Sequence, residues 1–268
     1  MLLSRASTTQ LPPYPLPRRC AVVASQIHGS MPQGDPLPTN LYLIRHGESV
    51  ANVEPIIAGM RSDAGLTDLG RKQAELLEER LRSEGVRADQ LYVSTLPRAL
   101  ETGDYVARAL QLPIQPDDDL QELRPGEADG LSVDEWRARY AGPDTTHLAD
   151  HPFREFSPGG ESWAEFLVRV GGALARLVDR HEDETVVAVC HGGVLEASFY
   201  LAFGLGGTGN RVAFAPLNTS ITHWRHRRRS DGHREWTLVT FNDAGHLAVA
   251  GLPEESMREA VPTPAEED

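Results

Sequence analysis

Cysteine is nearly missing from this sequence: among 268 residues only two occur, Cys20 and Cys190. That is too few for the disulfide framework of a small secreted scaffold. Positive charge is also short. Lys and Arg number 26 against 39 Asp and Glu, a formal net charge of −13. Such a balance argues against non-specific nucleic-acid binding and against an anionic membrane as partner. No stretch approaches the ~20 consecutive apolar residues of a membrane span. An apolar content of 40% still allows a sizeable core, as one large domain or two small ones, and no internal repeat is present. A cytoplasmic protein with a small-molecule partner is therefore expected, and any anionic substrate has to be drawn in by a local cluster of bases.

Residues 1–39 differ in composition from the rest of the chain. They are rich in proline and serine, carry Arg5, Arg18 and Arg19, and have no acid before Asp35. An acid-free start with Arg and Ser is like an organellar transit peptide. Pro12, Pro13, Pro15 and Pro17 would nevertheless break the amphipathic helix such a peptide needs, and Ala21-Val22-Val23-Ala24 is too short for a secretory core. The expectation is a disordered extension, or an upstream start with Met31 as the natural beginning. Residues 251–268 read as an acidic disordered tail, which leaves 40–250 as the domain.

Three short apolar runs within that domain end in basic residues. Leu41-Tyr42-Leu43-Ile44 leads into Arg45-His46-Gly47-Glu48 and then into helix through Ser49, Val50 and Ala51. This puts a histidine at the carboxyl end of a buried strand, where open α/β sheets bind ligands. Taken alone, the triplet equally fits a surface turn with a solvated arginine. Leu91-Tyr92-Val93 precedes a helix whose first turn holds Pro97, with Leu100, Ala107 and Leu110 marking its buried side. Arg98 in that first turn would by itself be an ordinary exposed helix arginine. Thr185 to Cys190 is a β-branched run suited to a strand covered on both sides, and it ends in His191-Gly192-Gly193 before a helix from Val194 to Phe203. Three such turns collect His46, Arg98 and His191 on one edge of a parallel sheet with Arg45 beside them, which scattered solvated bases would not do.

The other elements complete a layered α/β pattern. Thr67-Asp68 starts a helix with Leu69, Leu76, Leu77 and Leu81 on one face, ended by Gly85. An edge strand is expected at Pro113 to Gln115, followed by a loop in which Glu122 is a candidate acid. Ser132 with Glu135, and Ser162 with Glu165, form capping boxes; the second starts a helix with the face Phe166, Val170, Leu174, Leu177 and Val178. A strand from Asn218 to Thr222, a turn at Ser230-Asp231-Gly232 and a return strand from Trp236 to Phe241 make a hairpin whose arginines read as solvated. No metal is expected. Asp144, His147, Asp150 and His151 lack a recognised ligand spacing, and His223 and His226, three apart on a strand, face opposite sides. Cys190 reads as a small core residue, with a redox effect left open by its place next to His191. The expected fold is a three-layer α/β/α sandwich with a mostly parallel central sheet.

Arg45-His46-Gly47-Glu48, Ser94-x-Leu96-x-Arg98-Ala99, Glu122 and His191-Gly192 together resemble the histidine phosphatase superfamily, the phosphoglycerate-mutase-like proteins. Leu66-Thr67-x-Leu69-Gly70-x-x-Gln73-Ala74, Gly160-Glu161-Ser162 and Phe241-Asn242-Asp243 match further, in the family's order, over roughly residues 40–248. The resemblance implies a phosphoglycerate mutase-like fold and a site for phosphoryl transfer, which asks for an in-line nucleophile, cations on the equatorial oxygens and a proton for the leaving oxygen. On this reading His46 attacks as neutral imidazole and forms a phosphohistidine. Arg45, Arg98 and His191 hold the phosphoryl oxygens as positive groups, with Asn52 and the Gly192 N–H as further donors. Glu122 protonates the leaving alkoxide and then deprotonates water. Neither metal nor cofactor is implied.

Family members that act as glycolytic mutases resemble one another in an Arg-His-Tyr-Gly run after the acid and an Asn after the second His-Gly. Here Leu123-Arg124-Pro125-Gly126 and Gly193 stand in those places, and no tandem arginine pair precedes Pro158. These departures favour a metal-independent phosphomonoester hydrolase over a cofactor-dependent phosphoglycerate mutase, which has to shield its intermediate from water. A binding-only, inactive member is the remaining alternative, and none of the nucleophile, clamp arginines or acid is missing. Glu127, in a stretch where many members carry a Trp-Glu pair, is a second candidate acid. Specificity falls to residues 56–63 and 130–160, which carry no substrate signature, and no motif sets the oligomeric state.

Overall fold

The β-branched run Thr185–Cys190 forms β4 at the centre of the molecule. Val186, Ala188 and Cys190 point into one apolar layer, Val187 and Val189 into the other, as the two-residue period of an extended chain dictates. In the computed structural model, which describes residues 37–140, 151–205 and 214–251, β4 lies between β1 (Thr39–Arg45) and β2 (Gln90–Ser94), parallel to both. Beyond β2 runs a short parallel edge strand, β3 (Gln115–Asp117). Beyond β1 come β5 (Ile221–Arg228) and β6 (Arg234–Asp243), both antiparallel to their neighbours. The order is β3-β2-β4-β1-β5-β6. Because Arg45 pairs with Cys190 and Val93 with Val189, three neighbouring strands end level with one another.

Helices cover both faces. α5 (Trp163–Arg180) and α6 (Gly192–Phe203) bury Phe166, Val170, Leu174, Leu177 and Val194 against Leu41, Leu43 and Val186. α2 (Asp68–Ser83) and α3 (Pro97–Leu110) bury Leu77, Leu81, Ala99 and Val106 against Ile44, Leu91 and Val187. A side chain of this size, fully buried, contributes about 1.5–3 kcal/mol over exposure. The helix starts follow from their caps. Thr67 Oγ1 accepts from Gly70 N at 2.9 Å, Pro97 opens α3, and Ser162 and Glu165 close a reciprocal capping box. Ser132 and Glu135 do the same for α4 (Val133–Tyr140). The short α1 (Val50–Val53) and α7 (Gly245–Val249) complete the set. Among the described residues no helix is long and apolar enough to cross a membrane.

Several expectations are corrected. The edge strand is displaced two residues later, to 115–117, because Asp117 caps the following 3₁₀ turn by accepting from Asp119 N at 2.8 Å; Pro116 is tolerated on an edge. The buried face of α2 includes Gln73 and Glu78, whereas Leu69 and Leu76 stay partly exposed. Gln73 is needed inside to receive Glu48 N at 2.8 Å, and Glu78 is paired with Arg82 and Arg108. On α3 the buried centre is Ala99, Thr102 and Val106, with Leu100, Ala107 and Leu110 at its margin. Asn218, Thr219 and Ser220 form a turn rather than the start of a strand, which begins at Ile221. Thr39 already belongs to β1. Asp144, His147 and Asp150 lie outside the described residues, as do 1–36 and 252–268.

Candidate active site

The chain leaves β1 through the turn Arg45-His46-Gly47-Glu48, and buried polar groups fasten that turn from below. Gly47 N donates to Thr102 Oγ1 at 3.0 Å, Glu48 N to Gln73 Oε1, and Thr67 Oγ1 to Glu48 Oε1 at 2.7 Å. The start of α2 comes so close that a Cβ on Gly70 would lie 1.9 Å from the Glu48 carbonyl oxygen, which accounts for glycine there. From above, Asn218 Nδ2 donates to the His46 carbonyl at 3.1 Å, and Thr219 N donates to the carbonyls of Arg45 and His46. Thr219 holds a left-handed φ of 56°, a costly conformation for a β-branched residue. Its hydroxyl is held in place by His246 Nε2 at 2.9 Å.

His46 is consequently fixed at both ring nitrogens. Nδ1 lies 2.6 Å from the Gly47 carbonyl oxygen, and Arg98 Nε donates to Nε2 at 3.2 Å. A carbonyl accepts only, so Nδ1 carries the proton and Nε2 presents its lone pair. Burial, then Arg98, then Arg45 hold the imidazole pKa well below the usual histidine range, against the opposing effect of the Gly47 bond. The ring is therefore neutral at physiological pH.

Arg98, in the first turn of α3, is buried and fully oriented. Its Nη1 donates to Asp63 Oδ2 at 2.7 Å and to the Ala58 carbonyl at 3.3 Å, and Asp63 is itself buried. Arg45 Nη1 donates to the Pro216 carbonyl at 2.6 Å. His191 follows β4, with its ring centroid 5.1 Å from that of His46. Its Nε2 shares a hydrogen bond of 2.7 Å with Ser94 Oγ, while its buried Nδ1 has no hydrogen-bond partner among the described residues. Burial, Arg98 and His46 push its pKa well below the usual range. Burial first, and the neighbouring arginines after it, thus disfavour the charged form of this ring.

Asn52 lies in α1, just beyond that turn. Its Oδ1 accepts from Ser49 N, Ser49 Oγ and Asn218 Nδ2 at 3.0, 3.1 and 3.3 Å, which assigns its NH₂ as the donor end. Gly192 opens α6, where backbone N–H groups lack intrahelical acceptors, and a Cβ there would lie 3.7 Å from Arg45 Nε. Glu122 is half-buried between α5 and α6. Gly193 N donates to its Oε2 at 2.9 Å and Leu123 N to its Oε1 at 3.0 Å. A Cβ on Gly193 would fall 2.2 Å from Glu122 Oε1, so a larger residue there would shift the end of the Glu122 side chain. Glu127 is exposed and receives Tyr140 Oη at 3.3 Å, away from that seat. Cys190 is fully buried, and its thiol pKa is raised first by burial and then by Glu122, which makes it inert toward oxidants.

The structure brings His46, His191, Arg45 and Arg98 together at one sheet edge, with Asn52, Gly192 and Glu122 around them. Sequence reading missed Asp63, Asn218, Ser94 as a partner of His191, and the Pro216 carbonyl. Ser94 stood in a family motif without a role; Asp63 stood in a loop read only for specificity. Among the described residues no group of three or more His, Cys, Asp or Glu is arranged to hold a metal ion.

The family model described as histidine phosphatase superfamily (branch 1) matches residues 41–244. Phosphoglycerate mutase-like protein 4 of Arabidopsis thaliana is 32% identical over 222 residues, 79% of this chain and 88% of that one. The metal-independent phosphoserine phosphatase of the same plant is 29% identical over 215 residues, 80% of this chain and 85% of its own. Among solved structures, a mycobacterial glucosyl-3-phosphoglycerate phosphatase complexed with VO3 has a TM-score of 0.61 at 25% identity, covering 76% of this chain and 98% of that one.

Proposed function

This chain belongs to the histidine phosphatase superfamily (branch 1) and is a phosphatase, and on that premise we propose that it hydrolyses small phosphomonoesters without a metal, through a phosphohistidine on His46. One observation carries the mechanism: His46 is neutral, its proton is committed to the Gly47 carbonyl, and its Nε2 lone pair lies in the field of Arg98. A nucleophile held in one tautomer needs no reorganisation before attack.

The lone pair of His46 Nε2 forms a bond to phosphorus as the bond to the ester oxygen breaks, and Glu122 gives that oxygen its proton. Arg98 turns from Nε2 to the equatorial oxygens, which Arg45, the His191 ring, the Asn52 amide and the Gly192 N–H share with it. Water then attacks phosphorus, Glu122 takes its proton, the P–N bond breaks and neutral His46 returns. A buried cluster of fixed donors stabilises the transferring group more than the same donors would in water.

Mutase-named relatives give the second reading its interest. Two features favour hydrolysis. Gly193 stands where the family's glycolytic mutases resemble one another in Asn, and the basic residues of the neighbouring loops are already engaged: Arg61 with Asp129 and the Gly126 carbonyl, Arg124 with Gln121 and the Asp118 carbonyl. A second anionic group on the substrate would have to displace those partners.

The test is phosphate release in EDTA from a panel including phosphoserine, glucosyl-3-phosphoglycerate and 3-phosphoglycerate, the last with and without 2,3-bisphosphoglycerate. Chelator-resistant release that His46→Ala abolishes is expected. Isomerisation to 2-phosphoglycerate with little release would make the protein a mutase. Release that survives the substitution would remove His46 as nucleophile.

A further inference from the structure

The mechanism leaves one buried cation without a task. Arg169, on α5, has a side chain only 9% exposed, and its guanidinium is fully engaged. Nε and Nη2 form a forked pair with the two carboxylate oxygens of Glu161 at 2.6 and 2.7 Å. Nη1 donates to the carbonyls of Asp119 and Gln121 at 2.9 and 3.0 Å, and Nη2 to the carbonyl of Glu122 at 3.2 Å. These five contacts match the five N–H donors a guanidinium has. Glu161 in turn receives Arg124 N at 3.0 Å.

The segment so gripped has little of its own to hold it. After the 3₁₀ turn at Asp118–Leu120 the chain enters neither strand nor helix until Gly126. Three carbonyls that a ladder would otherwise satisfy converge instead on one side chain of α5. Left unmet in a buried setting, each would be destabilising. Glu122 is thereby suspended between two helices, its carbonyl held by α5 and its carboxylate by the Gly193 N–H of α6. The guanidinium also lies 5.3 Å from the Phe166 ring, which packs within 3.0 Å of where a Gly193 Cβ would sit. One cation thus touches both walls of the acid's seat.

We propose that Arg169, fastened by Glu161, is the positioning residue for the general acid Glu122. This rests on the proposed role of Glu122 as that acid. Lysine cannot replace Arg169, because a point ammonium with three donors cannot serve a planar carboxylate fork and three carbonyls together. Displacing a catalytic group by about 1 Å costs about 10²-fold. Only substrates that need the acid's proton suffer that loss.

The experiment compares wild type, Glu122→Gln, Arg169→Lys and the double variant on p-nitrophenyl phosphate, a good leaving group, and on an alkyl phosphate. Glu122→Gln is expected to lose far more kcat on the alkyl ester than on the aryl ester. Arg169→Lys is expected to show the same split, about 30- to 100-fold on the alkyl ester and within about 3-fold on the aryl ester. The double variant should lose no more than Glu122→Gln alone. Equal losses on both substrates for Arg169→Lys, or losses that multiply in the double variant, overturn the inference and leave the acid assignment standing. Equal losses for Glu122→Gln overturn the acid assignment itself. If Arg169→Lys does not fold, Glu161→Gln carries the same comparison with the same two outcomes.

Discussion

Buried histidines occupy both ends of this sheet, and they are used in opposite ways. At the amino end, His181 closes α5 with its ring between two partners: Tyr92 Oη at 2.9 Å from Nε2 and Glu184 Oε2 at 2.8 Å from Nδ1. Its carbonyl also accepts from Thr39 Oγ1 at 2.9 Å. At the carboxyl end, His46 and His191 are also buried, but their charged neighbours are arginines and one His191 nitrogen has no hydrogen-bond partner among the described residues. Burial therefore does not separate a structural histidine from one proposed to react. The difference lies in the sign of the adjacent charge and in whether the hydrogen-bonding capacity of the ring is exhausted.

Breaking the carboxyl end should give the larger effects. Arg98→Met removes a donor proposed to meet the transferring group, and turnover should fall by about 10²–10³-fold; it also strands the buried Asp63 carboxylate, so the melting temperature should fall with it. Asp63→Asn leaves Arg98 charged but loosely held, and a smaller loss of about 10–100-fold is expected. Steady-state kinetics on one ester ranks the two; a larger loss for Asp63→Asn would contradict the assigned roles. At the amino end the pattern should invert. His181→Ala strands Tyr92 and Glu184, so stability should drop by about 1–3 kcal/mol while kcat is retained, as urea unfolding and a turnover assay would register together.

Acid sharpens the same contrast. His223 and His246 are pushed down to about 4, chiefly by burial, and His46, His191 and His226 are lowered as well. Below about 6.5 the unfolded chain takes up protons that the folded chain refuses, so stability is complete above that pH and declines as pH falls toward 4. Unfolding midpoints measured between pH 7.5 and 4.5 should fall continuously. His246→Gln should flatten part of the slope, and an unchanged slope would remove His246 from the set.

Much of the fold was legible because the strands are short apolar runs and the helix starts carry hydrogen-bonding caps. Thr67, Pro97 and Ser162 each stand where the sequence pattern put them. The strand ends were legible for the same reason, since a histidine or arginine that breaks a β-branched run marks where the sheet stops. The supports of the site were not. Asp63, Arg169 and Asn218 act across 35, 47 and 172 residues of chain on Arg98, Glu122 and His46, and no local period or spacing encodes such a distance. The start of β5 was misread because Thr219, a good strand former, is forced into a left-handed turn by bonds to β1.

Rapid acid-free quenching of the enzyme with a ³²P-labelled phosphomonoester, followed by peptide mapping, tests the central claim most directly. The label should be acid-labile and alkali-stable, carried by the peptide containing His46, and absent from His46→Ala. Label on another residue, or turnover with no labelled protein under single-turnover conditions, would contradict a phosphohistidine on His46.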